Sequence, residues 1–145
     1  MKIEIIKIGK TRYPGISEVV EEYLKRLRPM ASVDLTIWKE GQNEQKLKSL
    51  LGIENRVVAL DERGEQWSSI AFSKNLKKWT DDPGIKKISF VIGGPYGLSE
   101  DFRKQANHLW SLSDCTFPSE LAWLLVCEQI YRGFTILKGM SYHHE

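Results

Sequence analysis

Ile88-Ser89-Phe90-Val91-Ile92-Gly93-Gly94-Pro95-Tyr96-Gly97-Leu98-Ser99 is the stretch that decides the fold class of this chain. Ile88 to Ile92 is apolar and rich in strand-forming residues, the glycines and proline break it, and Ser99 can cap a helix that carries Glu100 and Asp101 in its first turn, where the helix dipole favours carboxylates. A strand that turns through glycine into a helix is where open α/β sheets bind ligands, outside the carboxyl ends of their strands. A phosphate loop would need GxxxxGK[ST], yet no Lys follows Gly97, and the dinucleotide fingerprint GxGxxG is also missing. Gly and Pro supply unusual turn angles with or without a ligand, so the turn alone leaves a structural and a functional reading equally open.

Outward from it the pattern repeats. Lys2 to Ile8 reads as a buried strand, and Val33, Leu35 and Ile37 alternate in a second. Between them Ile16, Val19, Val20, Tyr23, Leu24 and Leu27 recur at helical spacing, with Pro14 and Gly15 ahead and Pro29 behind. A short polar helix over roughly Asn43 to Leu51 leads to a third strand, Arg56 to Leu60. Ser68 or Ser69 caps a helix carrying Ile70, Phe72, Leu76 and Trp79 that ends before Asp82. The helix after Ser99 takes in His108, Leu109 to Leu112 forms a fifth strand, and a mostly apolar helix runs from Pro118 and Ser119 to about Leu137, ahead of a polar tail, Ser141 to Glu145. Alternating strands and helices predict an α/β fold with a mostly parallel sheet and helices on both faces. A second loop, Ser111 to Pro118, follows the fifth strand with small polar Ser113, Asp114 and Thr116, so two strand ends would present polar backbone to one cleft.

Composition sets the outer limits. The chain has 145 residues, fits one domain over 1–145, and is 41% hydrophobic and 28% charged, as a globular protein is. A net charge of +2 implies no general field for polyanions, and the local clusters Lys25, Arg26, Arg28 and Lys74, Lys77, Lys78 read as solvated helix faces. Cys115 and Cys127 stand without a CxxC or matching His spacing, which suggests no zinc site, no disulfide framework and a reducing cytosol. Met1 to Gly9 lacks the apolar core of a signal peptide, and the longest apolar run, Leu121 to Cys127, is far short of the roughly 20 residues of a membrane span.

The residues carry a resemblance. Ile92-Gly93-Gly94-Pro95-Tyr96-Gly97-Leu98, Trp110-Ser111-Leu112-Ser113, Thr116-Phe117-Pro118, Glu128-Gln129-Ile130-Tyr131-Arg132 and terminal Tyr142-His143 resemble the successive signatures of the RlmH family of SPOUT methyltransferases. The likeness extends to Lys2-Ile3, Gly9-Lys10, Glu22-Tyr23, Lys25-Arg26-Leu27 and Leu60-Asp61, and so covers essentially the whole chain. It implies a SPOUT-type sheet with a carboxyl-terminal trefoil knot, a cytoplasmic homodimer with the last helix in the interface, and each cofactor cleft completed near the partner's surface. The implied activity is S-adenosyl-L-methionine-dependent methylation of N3 of a pseudouridine in helix 69 of 23S ribosomal RNA, in the assembled ribosome, with no metal and no membrane.

Carried over by position, the resemblance places the cofactor against Leu60, Gly93, Gly94, Ser113, Asp114, Cys115, Thr116, Phe117 and Pro118. Glycines admit close approach, backbone groups read an adenine edge, and Leu60 and Phe117 add apolar surface. It makes His143 a candidate for helping the imide nitrogen lose its proton, Tyr142 an orienting hydroxyl, and Arg132 a group for phosphate or developing negative charge. The ordinary alternative for Arg132 is an ion pair with Glu128 one turn earlier, and for the tail a solvated chain end. Cys127 reads as a small buried residue and Cys115 as an inert one. Three departures bear on the RNA contacts: Ser119 where the family usually has His, Trp123 where Arg is typical, and His144 where a Lys or Arg commonly follows Tyr-His. Ser119 can still cap its helix, and Trp123 is expected in a dimer interface with Leu121, Leu124 and Ile130, or stacked on a base. They leave room for an alternative, an RNA-binding SPOUT dimer that is non-catalytic or aims at another RNA.

Overall fold

Isoleucines at 3, 5, 6 and 8 make the first strand apolar on both sides, and a strand buried on both faces belongs inside a parallel sheet, with a neighbour on each side. The computed structural model, which describes residues 1–41 and 43–144, places it there. β1 (Lys2–Ile8) pairs in parallel with β2 (Ser32–Trp38) on one side and β4 (Lys87–Ile92) on the other. β3 (Asn55–Gln66) lies beyond β4, β5 (His108–Ser111) forms the far edge, and the order is β2-β1-β4-β3-β5, parallel throughout. Glu145, at the end of the predicted polar tail, lies outside the described residues.

The two faces are covered unequally. α1 (Pro14–Leu27), α3 (Ser69–Asp81) and α5 (Ser119–Leu137) pack on one face over Ile3, Ile5, Val58, Phe90 and Trp110. α2 (Glu44–Ser49) and α4 (Glu100–Gln105) cover the other through Leu47, Leu50 and Phe102 against Ile6, Val57 and Val91. The first layer is aromatic: Phe72 stacks on Trp110 at 4.4 Å between ring centroids. Truncating either ring to Ala would cost about 3–5 kcal/mol.

The capping chemistry follows the sequence. Ser68 accepts from the Ala71 amide at 3.0 Å and Ser99 from that of Phe102 at 3.2 Å. Four expectations are corrected. β3 runs on to Gln66 through Asp61-Glu62-Arg63-Gly64, because this polar segment leaves the ladder after Leu60 and rejoins β5 at Glu65, which satisfies its backbone without an apolar pattern. His108 begins β5 and is not helical. Ser119 does not cap α5, since the N-cap position is Pro118, which has no side-chain oxygen to accept from the first turn. Trp123 and Ile130 are fully buried in the chain's own core, and the exposed apolar residues early in α5 are Leu121 and Leu125. The basic clusters on α1 and α3 are solvated, with Arg26 on Glu22 and Lys77 on Asp81 as exposed pairs worth little.

Candidate functional site

Parallel strands deliver their carboxyl ends to one edge of the sheet, and there the loops after β1, β2, β4 and β5 and the Leu60–Arg63 stretch of β3 surround a cavity of about 780 Å³. That lies within the roughly 300–1,000 Å³ of small-molecule sites. Leu60, Gly93, Gly94, Ser113, Cys115, Thr116, Phe117 and Pro118 all line it. Asp114, the ninth residue assigned to the cofactor, does not; its carboxylate is turned to Gln66, whose amide donates to it at 2.7 Å.

Backbone geometry shapes the cavity. The Gly94 carbonyl accepts from the Gly97 amide at 2.9 Å, closing the turn. A Cβ on Gly93 would come within 3.0 Å of the Gly97 backbone, so the first glycine serves the turn itself. A Cβ on Gly94 would overlap the Glu40 carboxylate, so the second keeps open a space that a polar group enters. The Ser111–Pro118 loop is tied to the polar extension of β3 by the Thr116 hydroxyl, which donates to Glu62, and is braced internally where the Ser113 hydroxyl accepts from the Cys115 amide at 3.0 Å. The Asp61 side chain, 8% exposed, sits between Arg63 at 3.4 Å and Arg103 at 3.6 Å, and all three residues reach the cavity.

Sequence reasoning missed Glu40, Arg63, Arg103 and the loop after β1, with Lys10, Arg12 and Tyr13, all of which line the cavity. Their one common signal is position: each follows a strand's carboxyl end or faces one, and that becomes visible only with the strand order.

The three residues assigned to the acceptor form a separate cluster on α5. Gly139, at φ +68°, closes the helix with a 6→1 bond from the Met140 amide to the Thr135 carbonyl and a 5→2 bond from its own amide to Ile136. This reversal lays the tail back on the helix. Arg132 Nε donates to Glu128 Oε1 at 2.7 Å, and its Nη1 donates to His143 Nδ1 at 3.0 Å. Since guanidinium cannot accept, neutral His143 carries its hydrogen on Nε2, which is buried without a partner. Tyr142 packs edge-on against Tyr131 and under Arg132, its hydroxyl 3.3 Å from both Glu128 and the Tyr23 hydroxyl. Burial, then the bond with Tyr23 and the charge of Glu128, push the Tyr142 hydroxyl well above the ordinary phenol range, so it stays protonated and acts as a donor. The ion pair with Glu128, the ordinary alternative for Arg132, is present, and it aims the guanidinium at His143. None of Arg132, Tyr142 and His143 lines the cavity.

Burial pushes the Cys127 thiol up to about 12, which keeps it inert. Among the described residues no cluster of His, Cys, Asp and Glu could hold a metal ion, and no helix is long and apolar enough to cross a membrane.

Comparison with known proteins agrees with this geometry. The family model described as predicted SPOUT methyltransferase matches residues 1–143. The ribosomal RNA large subunit methyltransferase H of Flavobacterium johnsoniae is 39% identical over 158 aligned positions, covering 100% of both chains. Among solved structures, a probable methylase family protein from Haemophilus influenzae Rd KW20 superposes with a TM-score of 0.61 at 10% identity, over 99% of this chain and 70% of that one. The SpoU methyltransferase AviRb of Streptomyces viridochromogenes, solved in complex with the cofactor AdoMet, gives 0.51 at 13% identity over 89% and 56%. With a parallel sheet covered on both faces, a cavity at its carboxyl edge and full-length likeness to such relatives, the chain belongs to the SPOUT methyltransferase family.

Proposed function

We propose that this chain is a cytoplasmic, homodimeric enzyme that uses S-adenosylmethionine to methylate ribosomal RNA of the large subunit, at N3 of the helix 69 pseudouridine in the assembled ribosome, and that its carboxyl-terminal part is threaded through a trefoil knot. The observation that carries the reading is the cavity in which the Gly93-Gly94 turn and the Ser111–Pro118 loop meet.

The residues fit the cofactor. Leu60 and Phe117 offer apolar surface to a purine, the loop from Ser113 offers backbone donors and acceptors to its edge, and Glu40, lying over Gly94, is an acceptor for hydroxyl or ammonium groups. When bound, S-adenosylmethionine supplies an electrophilic methyl group on a sulfonium. The chain's own residues then have to orient the acceptor nitrogen in line and stabilise the base as its N3 proton passes to water. Arg132 carries the positive charge for that task. The bond from Arg132 to Nδ1 favours His143 as a hydrogen-bond donor through Nε2 over a role as proton acceptor. Tyr142 holds the pair in place.

Because these three residues stand apart from the cavity of their own chain, a composite site, with the tail of one protomer serving the cavity of the other, accounts for both sets. Exposed Leu121 and Leu125, one turn apart on α5, and Val19 on α1 supply apolar surface for such a dimer. Mass spectrometry of 23S ribosomal RNA from a deletion strain, with and without the gene restored, tests the substrate: one methyl should disappear from helix 69 and return. Calorimetric titration with S-adenosylmethionine tests the cofactor; absence of binding would overturn the reading.

A further inference from the structure

The loop between β1 and α1, Gly9 to Tyr13, is pinned by two buried side chains of opposite charge. Lys7 is 1% exposed, and its Nζ donates to the carbonyl oxygens of Gly9 at 2.7 Å and Lys10 at 3.2 Å. Glu120, 4% exposed in the first turn of α5, accepts with Oε1 from the amides of Arg12 at 2.9 Å and Tyr13 at 3.2 Å. One cation takes the loop's carbonyls and one anion takes its amides. Burying either charge is costly unless it is paired and hydrogen-bonded, so a neutral loop of the same length would be simpler to build. Burial pulls the Lys7 amine below its ordinary range, and Glu120 and Glu40 oppose that pull.

The arrangement fixes what the loop displays. Lys10 and Arg12 line the mouth of the cavity, are exposed, and among the described residues have no ion-pair partner. The other cations of the cavity wall, Arg63 and Arg103, share Asp61. Two unpaired cations of different shape, a point charge and a planar fork, suit phosphate oxygens on a passing strand.

We propose that Lys7 and Glu120 are positioning residues that hold the Gly9–Tyr13 loop so that Lys10 and Arg12 grip phosphates of the RNA strand entering the cavity. The inference rests on reading the cavity as an RNA methyltransferase site. Its test measures ribosome binding by sedimentation without cofactor, over a range of salt, and so stays readable even if no methyl is transferred. The double variant Lys10→Ala/Arg12→Ala should bind ribosomes about tenfold more weakly and lower the slope of log affinity against log salt by about one to two. Glu120→Ala should weaken ribosome binding to a similar extent and raise KM for ribosomes more than it lowers kcat. Glu120→Gln, which keeps an acceptor for both amides, should recover most of the loss. An unchanged salt slope in the double variant would overturn the proposal, and this variant changes only exposed side chains and so keeps the fold. Equal ribosome binding by Glu120→Ala and Glu120→Gln would likewise remove Glu120 from the role.

Discussion

The cavity and the tail cluster are built by opposite means. The cavity is made of strand ends and loop backbone contributed by five separate segments, and its side chains tie one segment to another, as Thr116 does to Glu62 and Arg103 to Asp61. The cluster is made of side chains on one helix and the turn that follows it, with Glu128, Arg132, Tyr142 and His143 in direct contact. A site made of backbone tolerates replacement of most of its side chains but not of the glycine that leaves it room. A site made of side chains fails one atom at a time. On the proposed reading the difference also separates the tasks, since holding a cofactor needs shape, whereas handling the charge of an acceptor base needs placed donors.

The largest effect should come from filling the cavity. Gly94→Val displaces Glu40 and occupies the space over the turn, and titration should find S-adenosylmethionine affinity lowered by about 100-fold or more while the circular dichroism spectrum stays that of the wild type. Unchanged affinity would remove the cavity from cofactor binding. His143→Ala should lower single-turnover methyl transfer by about 100-fold, with cofactor affinity altered less than about twofold, because a group that acts on the acceptor contributes only in the transition state. A wild-type rate would take the tail out of the chemistry.

Mixing the two variants sharpens the contrast. In a mixed dimer of Gly94→Val and His143→Ala protomers, a composite site would leave one intact cavity facing one intact tail, and random mixing should restore about a quarter of wild-type activity. A site confined to each protomer would restore none. The smallest effect concerns the aromatic end of the sheet, where His108 lies 5.0 Å from Trp79. Burial, then Arg56, hold its pKa below 6.5 in the folded chain. The unfolded chain therefore takes up a proton that the folded one refuses, and stability should decline as pH falls below about 6.5, until folded His108 itself protonates. Denaturant midpoints of wild type and His108→Phe, compared between pH 7.5 and 5.5, should converge on one slope only if another group is responsible.

Much of this was legible in the sequence, for reasons that can be named. Ser68 and Ser99 announce their helices because a cap is a local interaction, and β4 with its glycine turn is recognisable because a doubly buried strand is apolar without interruption. The extension of β3 was not, since Asp61 to Gln66 is held by loops and by an edge strand rather than by a core face, and carries no period to read. Lys7 is a charge within a strand that reads as buried, and nothing local explains it, because its partners come from a loop two residues on and a helix more than a hundred residues away. Trp123 looked like surface for the same reason: only the packing of α5 over β1, which brings its ring 5.5 Å from Lys7 Nζ, shows that it is interior. The resemblance makes His143 a candidate for helping the imide nitrogen lose its proton, and only the direction of the bond from Arg132 argues for a donor.

The place of β1 between β2 and β4 sets a timetable for synthesis. Its Ile-rich edge can pair with β2 as soon as residues 32–38 are available, but its other edge stays open until residues 87–92 have left the ribosome. At about 5–20 residues per second this is an interval of several seconds in which an apolar strand edge is exposed. Lys2, Glu4 and Lys7 interrupt that edge with charge, so residues that later serve a salt bridge or pin a loop also act, during this interval, as guards against pairing with the wrong strand.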